Sequence, residues 1–393
     1  MKISTDFLKT ICLVIIVSSC IEKPNLSATI EGLNSNDTIY IDYAPVSTIH
    51  EIDEPLRDTI YSKENSFQFN NPLDEPILAY FFPEKGAFKR ADGSPYRPTE
   101  KHIFLLVRPE DKVTVSGSLN KFYLAYSATG SQFNEEYSKL RDKYVTRTAE
   151  AVKIELEIDS SYAAKVDFQS INALFKKRNE IFEIRRKSQV QYIKENLKSD
   201  LSAYLLGRQK LDTLGKYYDN LDEEIKNGLF KNALEKQFNQ YQKFVKAREA
   251  EINIVEGKPA PDFSLKSTDG TDVKLSSINK KYTIIDFWGS WCQPCLAGFP
   301  TMKSYYSKYK DQIEILGIAC NDSETKWKKA IEEHQLDWEH VINNDELSKD
   351  VSVMYGIQSY PTKIILDQNH IIIAKFVGEG EDFYQKLDEL LTN

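Results

Sequence analysis

The feature that most constrains this chain is the run from Tyr282 to Cys295. An apolar stretch, Tyr282-Thr283-Ile284-Ile285-Asp286-Phe287-Trp288, is followed by Gly289-Ser290-Trp291 and then Cys292-Gln293-Pro294-Cys295. The apolar stretch reads as a buried strand and Gly289-Ser290 as a turn. A helix is expected from Leu296 to Lys308, with the two cysteines at its start. Unpaired N–H groups and the positive end of the helix dipole favour an anion there. A thiolate is such an anion, so the Cys292 thiol should have a pKa lowered into the reactive range, somewhere in ~3.5–7.5. Cys295 lies about one turn on, near enough for a disulfide, and should be the less exposed of the two. Pro294 fixes φ in the first turn, where its missing N–H costs little.

A Cys-x-x-Cys pair also forms half of many zinc sites. A structural zinc needs two further ligands. Cys320 and the histidines His50, His102, His334, His340 and His370 stand at no ligand spacing to one another, so no metal is expected. Five cysteines in 393 residues are too few for a disulfide scaffold. With 51 basic against 59 acidic residues, the net charge of −8 gives no electrostatic support to nucleic-acid binding.

The first residues, 1–20, read as a signal sequence. Lys2 and Lys9 precede the apolar core Ile11 to Val17, far short of the ~20 residues that span a bilayer. Val17-Ser18-Ser19-Cys20 resembles a bacterial lipobox, which implies lipidation at Cys20 and an extracytoplasmic protein on a lipid tether. Residues 21–130 are read as a small antiparallel β domain, with strands at 38–43, 66–69, 102–107 and 112–116 separated by turn residues. Residues 131–251 are almost free of Gly and Pro. Ile171, Leu174, Phe175, Ile181 and Phe182 recur at helical spacing, and Phe230, Leu234, Phe238, Tyr241 and Val245 repeat the pattern, which predicts an α-helical segment with buried aromatics. Gly257 to Asp262 reads as a linker. From there strands and helices alternate as β-α-β and then β-β-α, an α/β architecture over 256–393.

Ile285 to Cys295, with Pro300 five residues on and Tyr360-Pro361-Thr362 near the end, resembles the thioredoxin superfamily. The lead-in Ala260-Pro261-Asp262-Phe263-Ser264-Leu265, through Lys274-Leu275, resembles the TlpA/ResA branch of extracytoplasmic thiol-disulfide oxidoreductases. The layout of lipobox, β-rich domain, helical segment and TlpA-like domain is also similar to a group of Bacteroidetes lipoproteins, with Ala128-Thr129-Gly130-Ser131 at the junction.

The resemblance implies a thioredoxin fold at the C-terminus and exchange through Cys292 as attacking thiol and Cys295 as resolving thiol. It implies a cis proline at Pro361 and a buried acid at Asp286 that takes the proton from Cys295. A strand acid paired with a nearby lysine is the other reading of Asp286. Trp291, Tyr360 and Thr362 are implied as substrate-binding residues and Trp288 as structural. The implied partners are extracytoplasmic protein thiols and disulfides and a membrane electron donor, on the periplasmic side of a bacterial membrane, reached by the lipid anchor alone. No cofactor is called for. The family favours a reductant, but similar sites span roughly −270 to −120 mV.

The chain departs from that pattern in one place. TlpA-like sequences often carry an acid shortly after the second cysteine, and Leu296-Ala297-Gly298-Phe299 has none. Gly298 in a helix interior also costs about 1 kcal/mol against Ala. Two other functions remain open. One is a redox-regulated ligand- or partner-binding lipoprotein. The other is a thiol peroxidase, although Ile285 and Gly289 occupy the places where the Pro and Thr of its motif would stand. Cys320, at the end of the strand Ile315 to Ala319, is read either as a third thiol beside Cys292 or as a small buried hydrophobe.

Overall fold

The computed structural model describes residues 24–48 and 54–392. The signal sequence 1–20 and Cys20 lie outside the described residues. The chain divides into two compact units. The first comprises residues up to 208 together with 220–233, and the second comprises 209–219 together with 234–393. The helical stretch 131–251 is therefore shared between the two units.

In the first unit the strands are β1 (Leu26–Glu31), β2 (Thr38–Pro45), β3 (Leu56–Tyr61), β4 (Ser66–Phe69), β5 (Ile77–Pro83), β6 (Phe88–Lys89), β7 (Pro95–Tyr96), β8 (Ile103–Val107), β9 (Val113–Leu119) and β10 (Leu124–Thr129). Two four-stranded sheets, ordered β10-β9-β1-β4 and β3-β2-β5-β8, enclose one core that includes Leu26, Ile41, Phe69, Phe81, Leu105 and Val115. Every pairing in these sheets is antiparallel except β1 with β9, where the expected all-antiparallel pattern gives way. The chain visits the second sheet between them, and so long a connection lets β9 return in the same direction as β1.

The helices that follow are α1 (Gln132–Asp142), α2 (Val145–Ala163), α3 (Phe168–Glu195), α4 (Asp200–Leu206), α5 (Leu211–Tyr217), α6 (Glu223–Lys226) and α7 (Lys231–Glu251). Phe133 of α1 and Tyr204 of α4 pack on Phe104 of β8. All five β8 residues are buried, as a strand covered on both faces must be. The edge of β8 is closed by a side chain. Asn134 Nδ2 donates to the Leu106 carbonyl at 2.8 Å, and its Oδ1 accepts the Leu106 N–H at 2.9 Å. The stripe on α3 is less buried than its spacing predicts. Ile171 packs with Ile154 and Ile158 of α2, while Leu174, Phe175 and Ile181 are only partly covered. Arg178 and Arg185 lie over the Phe182 ring instead.

The second unit carries β11 (Ser264–Ser267), β12 (Asp272–Lys274), β13 (Tyr282–Trp288), α8 (Gln293–Tyr309), β14 (Ile313–Ala319), α9 (Glu324–His334), β15 (Glu339–Ile342), α10 (Val351–Met354), β16 (Thr362–Asp367), β17 (Ile372–Val377) and α11 (Glu381–Leu391). Its seven-stranded sheet is ordered β12-β11-β15-β14-β13-β16-β17. The interior strand β13 runs parallel to β14 and antiparallel to β16. The β11–β12 hairpin and β15 are additions to the expected pattern. Both are short and carry charged residues, so they show no apolar run in sequence. The expected linker is no linker. Gly257 N–H bonds the Ile372 carbonyl at 2.8 Å and Ala260 N–H the His370 carbonyl at 2.9 Å, which fastens this segment alongside β17.

Candidate active site

Period-two alternation on β13 sorts its side chains between two cores. Ile284 and Trp288 join the core beneath α8, which also holds Cys292, Cys295 and Phe299. Ile285 and Phe287 join the opposite core with Leu316, Ile318 and Cys320. Asp286 alternates with Ile284 and Trp288, so it belongs to the α8 face.

Cys292 and Cys295 form a disulfide with Cα atoms 5.3 Å apart. Cys292 is the N-cap of α8, and its Sγ accepts the Cys295 N–H at 3.3 Å. The helix therefore starts at Gln293, one turn earlier than expected, with Pro294 in its first turn. Both cysteines are nearly covered, at 4% and 2% exposure, with Cys295 the lower as expected. Pro300 lies inside the helix.

The turn before the helix is held from the loop that follows β14. Ser290 N–H and Oγ donate to the two Asp322 oxygens at 2.6 and 2.9 Å. Trp291 Nε1 donates to the Cys320 carbonyl at 3.1 Å. Trp291 is 50% exposed and meets Tyr360 edge to face, with centroids 5.4 Å apart. A Cβ at Gly289 would overlap the Trp291 ring and lie 3.1 Å from the Cys320 carbonyl, so only glycine admits this close packing. Asp322 was not anticipated. The parallel alignment of β13 with β14, which brings the Cys320 carbonyl to Trp291, brings Asp322 to the same edge two residues later.

The Tyr360-Pro361 bond is cis. Tyr360 is half-buried, and its hydroxyl lies 3.5 Å from Asn321 Nδ2. Thr362 departs from its expected role. It is 1% exposed, and its Oγ1 donates to the Ser359 carbonyl at 2.7 Å, so the side chain is engaged inside the fold. Cys320 is the buried hydrophobe of the two readings. It is fully covered, sits in the core opposite the disulfide, and has a thiol pKa pushed well up by burial. Trp288 is fully buried, as its structural role requires.

Asp286 is a strand acid with a lysine opposite it, as one reading has it, and it is buried, as the other requires. It is 1% exposed, and burial holds its carboxyl above the usual range. Lys363, directly opposite on β16, counters that rise, and the Glu379 charge adds to it. Lys363 Nζ lies 3.8 Å from Asp286 Oδ1 and 2.6 Å from Glu379 Oε2. Lys363 and Glu379 were not singled out in the sequence. A lysine inside the buried run Thr362-Lys363-Ile364-Ile365-Leu366 was the available signal, since such a charge needs a partner.

Among the described residues no group of three or more His, Cys, Asp or Glu side chains is placed to hold a metal ion. No helix among them is long and apolar enough to cross a membrane.

Comparison with known proteins agrees with this geometry. The profile of the AhpC/TSA family matches residues 256–375. The chain is 31% identical over 156 residues to the thioredoxin-like protein YneN of Bacillus subtilis, covering 38% of this chain and 88% of that protein. It is 29% identical over 137 residues to the thiol-disulfide oxidoreductase ResA of Bacillus cereus, covering 33% and 78%. Among solved structures, the thioredoxin domain of a thiol-disulfide oxidoreductase from Bacteroides vulgatus is 31% identical, with 35% and 98% coverage and a TM-score of 0.33. These matches concern about the last third of the chain. A relationship that spans most of YneN, joined to a disulfide at a helix N-terminus, places the chain in the thioredoxin-like thiol-disulfide oxidoreductases, and its activity is that of an enzyme of this family.

Proposed function

We propose that the protein reduces disulfides of extracytoplasmic proteins through Cys292 and Cys295, with electrons from a membrane donor and a lipid tether at Cys20. The observation that carries the reading is the Cys292–Cys295 disulfide at the start of α8. The donor first reduces this disulfide to two thiols. The Cys292 thiolate, favoured by the helix N-terminus, then attacks a substrate disulfide. A Cys292–substrate bond forms, and the other substrate sulfur leaves as a thiolate. Asp286 takes the Cys295 proton, and the Cys295 thiolate attacks Cys292 Sγ. That step reforms the intramolecular disulfide and releases the second substrate thiolate. The half-exposed Trp291 and Tyr360 would offer an apolar rim to the substrate chain, and the backbone at Pro361 an edge for strand-like pairing.

Cys295→Ser tests the reading, because attack survives and resolution does not. The full-length variant, reduced and mixed with oxidised periplasmic extract, should accumulate protein adducts that dithiothreitol releases, and Cys292→Ser should give none. Absence of adducts from a folded Cys295→Ser protein would rule out protein disulfides as substrates.

A further inference from the structure

Glu379 lies in the turn between β17 and α11. Both of its carboxylate oxygens are engaged. Oε2 takes the Lys363 ammonium at 2.6 Å, and Oε1 accepts the Tyr384 hydroxyl at 2.7 Å. Room for the carboxylate is made on α8. A Cβ at Gly298 would lie 2.5 and 2.6 Å from the two Glu379 oxygens, so any larger residue would displace them. This explains a glycine that costs helix stability one turn beyond Cys295. The Glu379 carboxylate thus occupies the space that a side chain at position 298 would fill.

One ammonium is shared unequally by two carboxylates. Lys363 is within hydrogen-bond distance of Glu379 but stands 3.8 Å from Asp286, beyond that distance. Asp286 Oδ1 is buried with no hydrogen-bond partner. Other groups hold Lys363 in place too: it is almost fully buried, with its Nζ 5.4 Å from the Phe383 ring centroid.

We propose that Glu379 is a positioning residue for thiol-disulfide exchange: by drawing Lys363 away from Asp286 it leaves Asp286 basic enough to take the proton of Cys295. This rests on the reading of Asp286 as the proton acceptor. The titratable groups around Asp286 are Lys363 from β16, Glu379 and Tyr384 from the C-terminal turn and α11, His340 of β15, and Cys320 from the end of β14 in the opposite core. His340 packs against Gly317, the β14 partner of Asp286, and burial keeps it neutral down to about pH 3. Burial is what raises the Asp286 pKa, and Lys363 is the cation that offsets the rise, so its distance from Asp286 governs how much of the rise remains.

The test measures the pH–rate profile of the resolution step in the full chain. Reduced protein is mixed with a small disulfide, and reformation of the Cys292–Cys295 bond is followed from pH 4 to 9. In Glu379→Gln the ammonium is free to close on Asp286. An opposite charge at contact lowers a carboxyl pKa by about 1–3 units, so the acid limb should move down by about that much. The rate at pH 7 should fall roughly tenfold, because a weaker base takes the proton less readily. Tyr384→Phe, which keeps all charges, should shift the limb less and in the same direction. Returning a carboxylate from α8, with Gly298→Glu in a Glu379→Ala background, should restore the original limb. An acid limb that stays put, or moves up, in Glu379→Gln while Asp286→Asn abolishes it overturns the role of Glu379 and leaves that of Asp286 standing. A limb that survives Asp286→Asn overturns the reading of Asp286, and this one with it.

Discussion

His340 should make the second unit acid-labile, and the size of the effect follows from its surroundings. The ring is 3% exposed, lies between Trp288 and Trp338, and has neither nitrogen hydrogen-bonded. Burial depresses its pKa from 6.5 to about 3. In the unfolded chain the ring titrates near its ordinary value. Between those two values the unfolded state binds the extra proton, so stability is present above about pH 6.5 and is lost as pH falls toward 3. Each unit is worth about 1.36 kcal/mol, so at pH 4.5 the loss from this residue is roughly 3 kcal/mol.

His340→Leu removes the titration together with the two unpaired ring nitrogens. At pH 7 it should lie within about 1 kcal/mol of the parent, since an apolar replacement of similar shape is nearly neutral. At pH 4.5 it should be more stable than the parent by roughly 3 kcal/mol. Urea unfolding of the oxidised protein, followed by tryptophan fluorescence, reads this unit selectively, because all four tryptophans lie between residues 288 and 338. His102, in the first unit, is also depressed by burial but is not seen by that probe. Equal stability differences between the two proteins at pH 7 and pH 4.5 would refute the argument.

Three further outcomes are expected. Cys320 in the oxidised, folded protein should resist iodoacetamide and react only on unfolding; labelling of the native protein at the rate of a free exposed thiol would contradict its burial. Gly298→Ala should destabilise the second unit by about 1–3 kcal/mol through overpacking against Glu379, despite about 1 kcal/mol of helix preference in its favour. In a Glu379→Ala background the same change should stabilise, and urea midpoints of the four proteins show whether the sign reverses. Asn134→Leu should strand the Leu106 N–H and carbonyl and cost roughly 2–6 kcal/mol, at about 1–3 per group, with loss of hydrogen-exchange protection at the Leu106 amide.

The sequence by itself determined the strand, turn and helix start around Cys292 and Cys295, because that signal is local. An apolar run, a glycine turn and a proline in the first helical turn each act within a few residues. It also determined the alternation of the second unit and four of the ten described strands of the first, whose side chains face one core at period two. The β1–β9 pairing, the short β15 and the docking of Gly257 to Ala260 beside β17 were decided only by tertiary structure. Each depends on backbone hydrogen bonds between distant segments, which side-chain patterns do not record. The same holds at the site. Asp286 was legible as a polar residue in an apolar strand, but its charge environment was not. Register put Lys363 opposite it, and the fold brought Glu379 from 81 positions beyond Gly298 into the space that glycine leaves. Burial then made that arrangement count, because charges taken out of water respond strongly to the few groups left beside them.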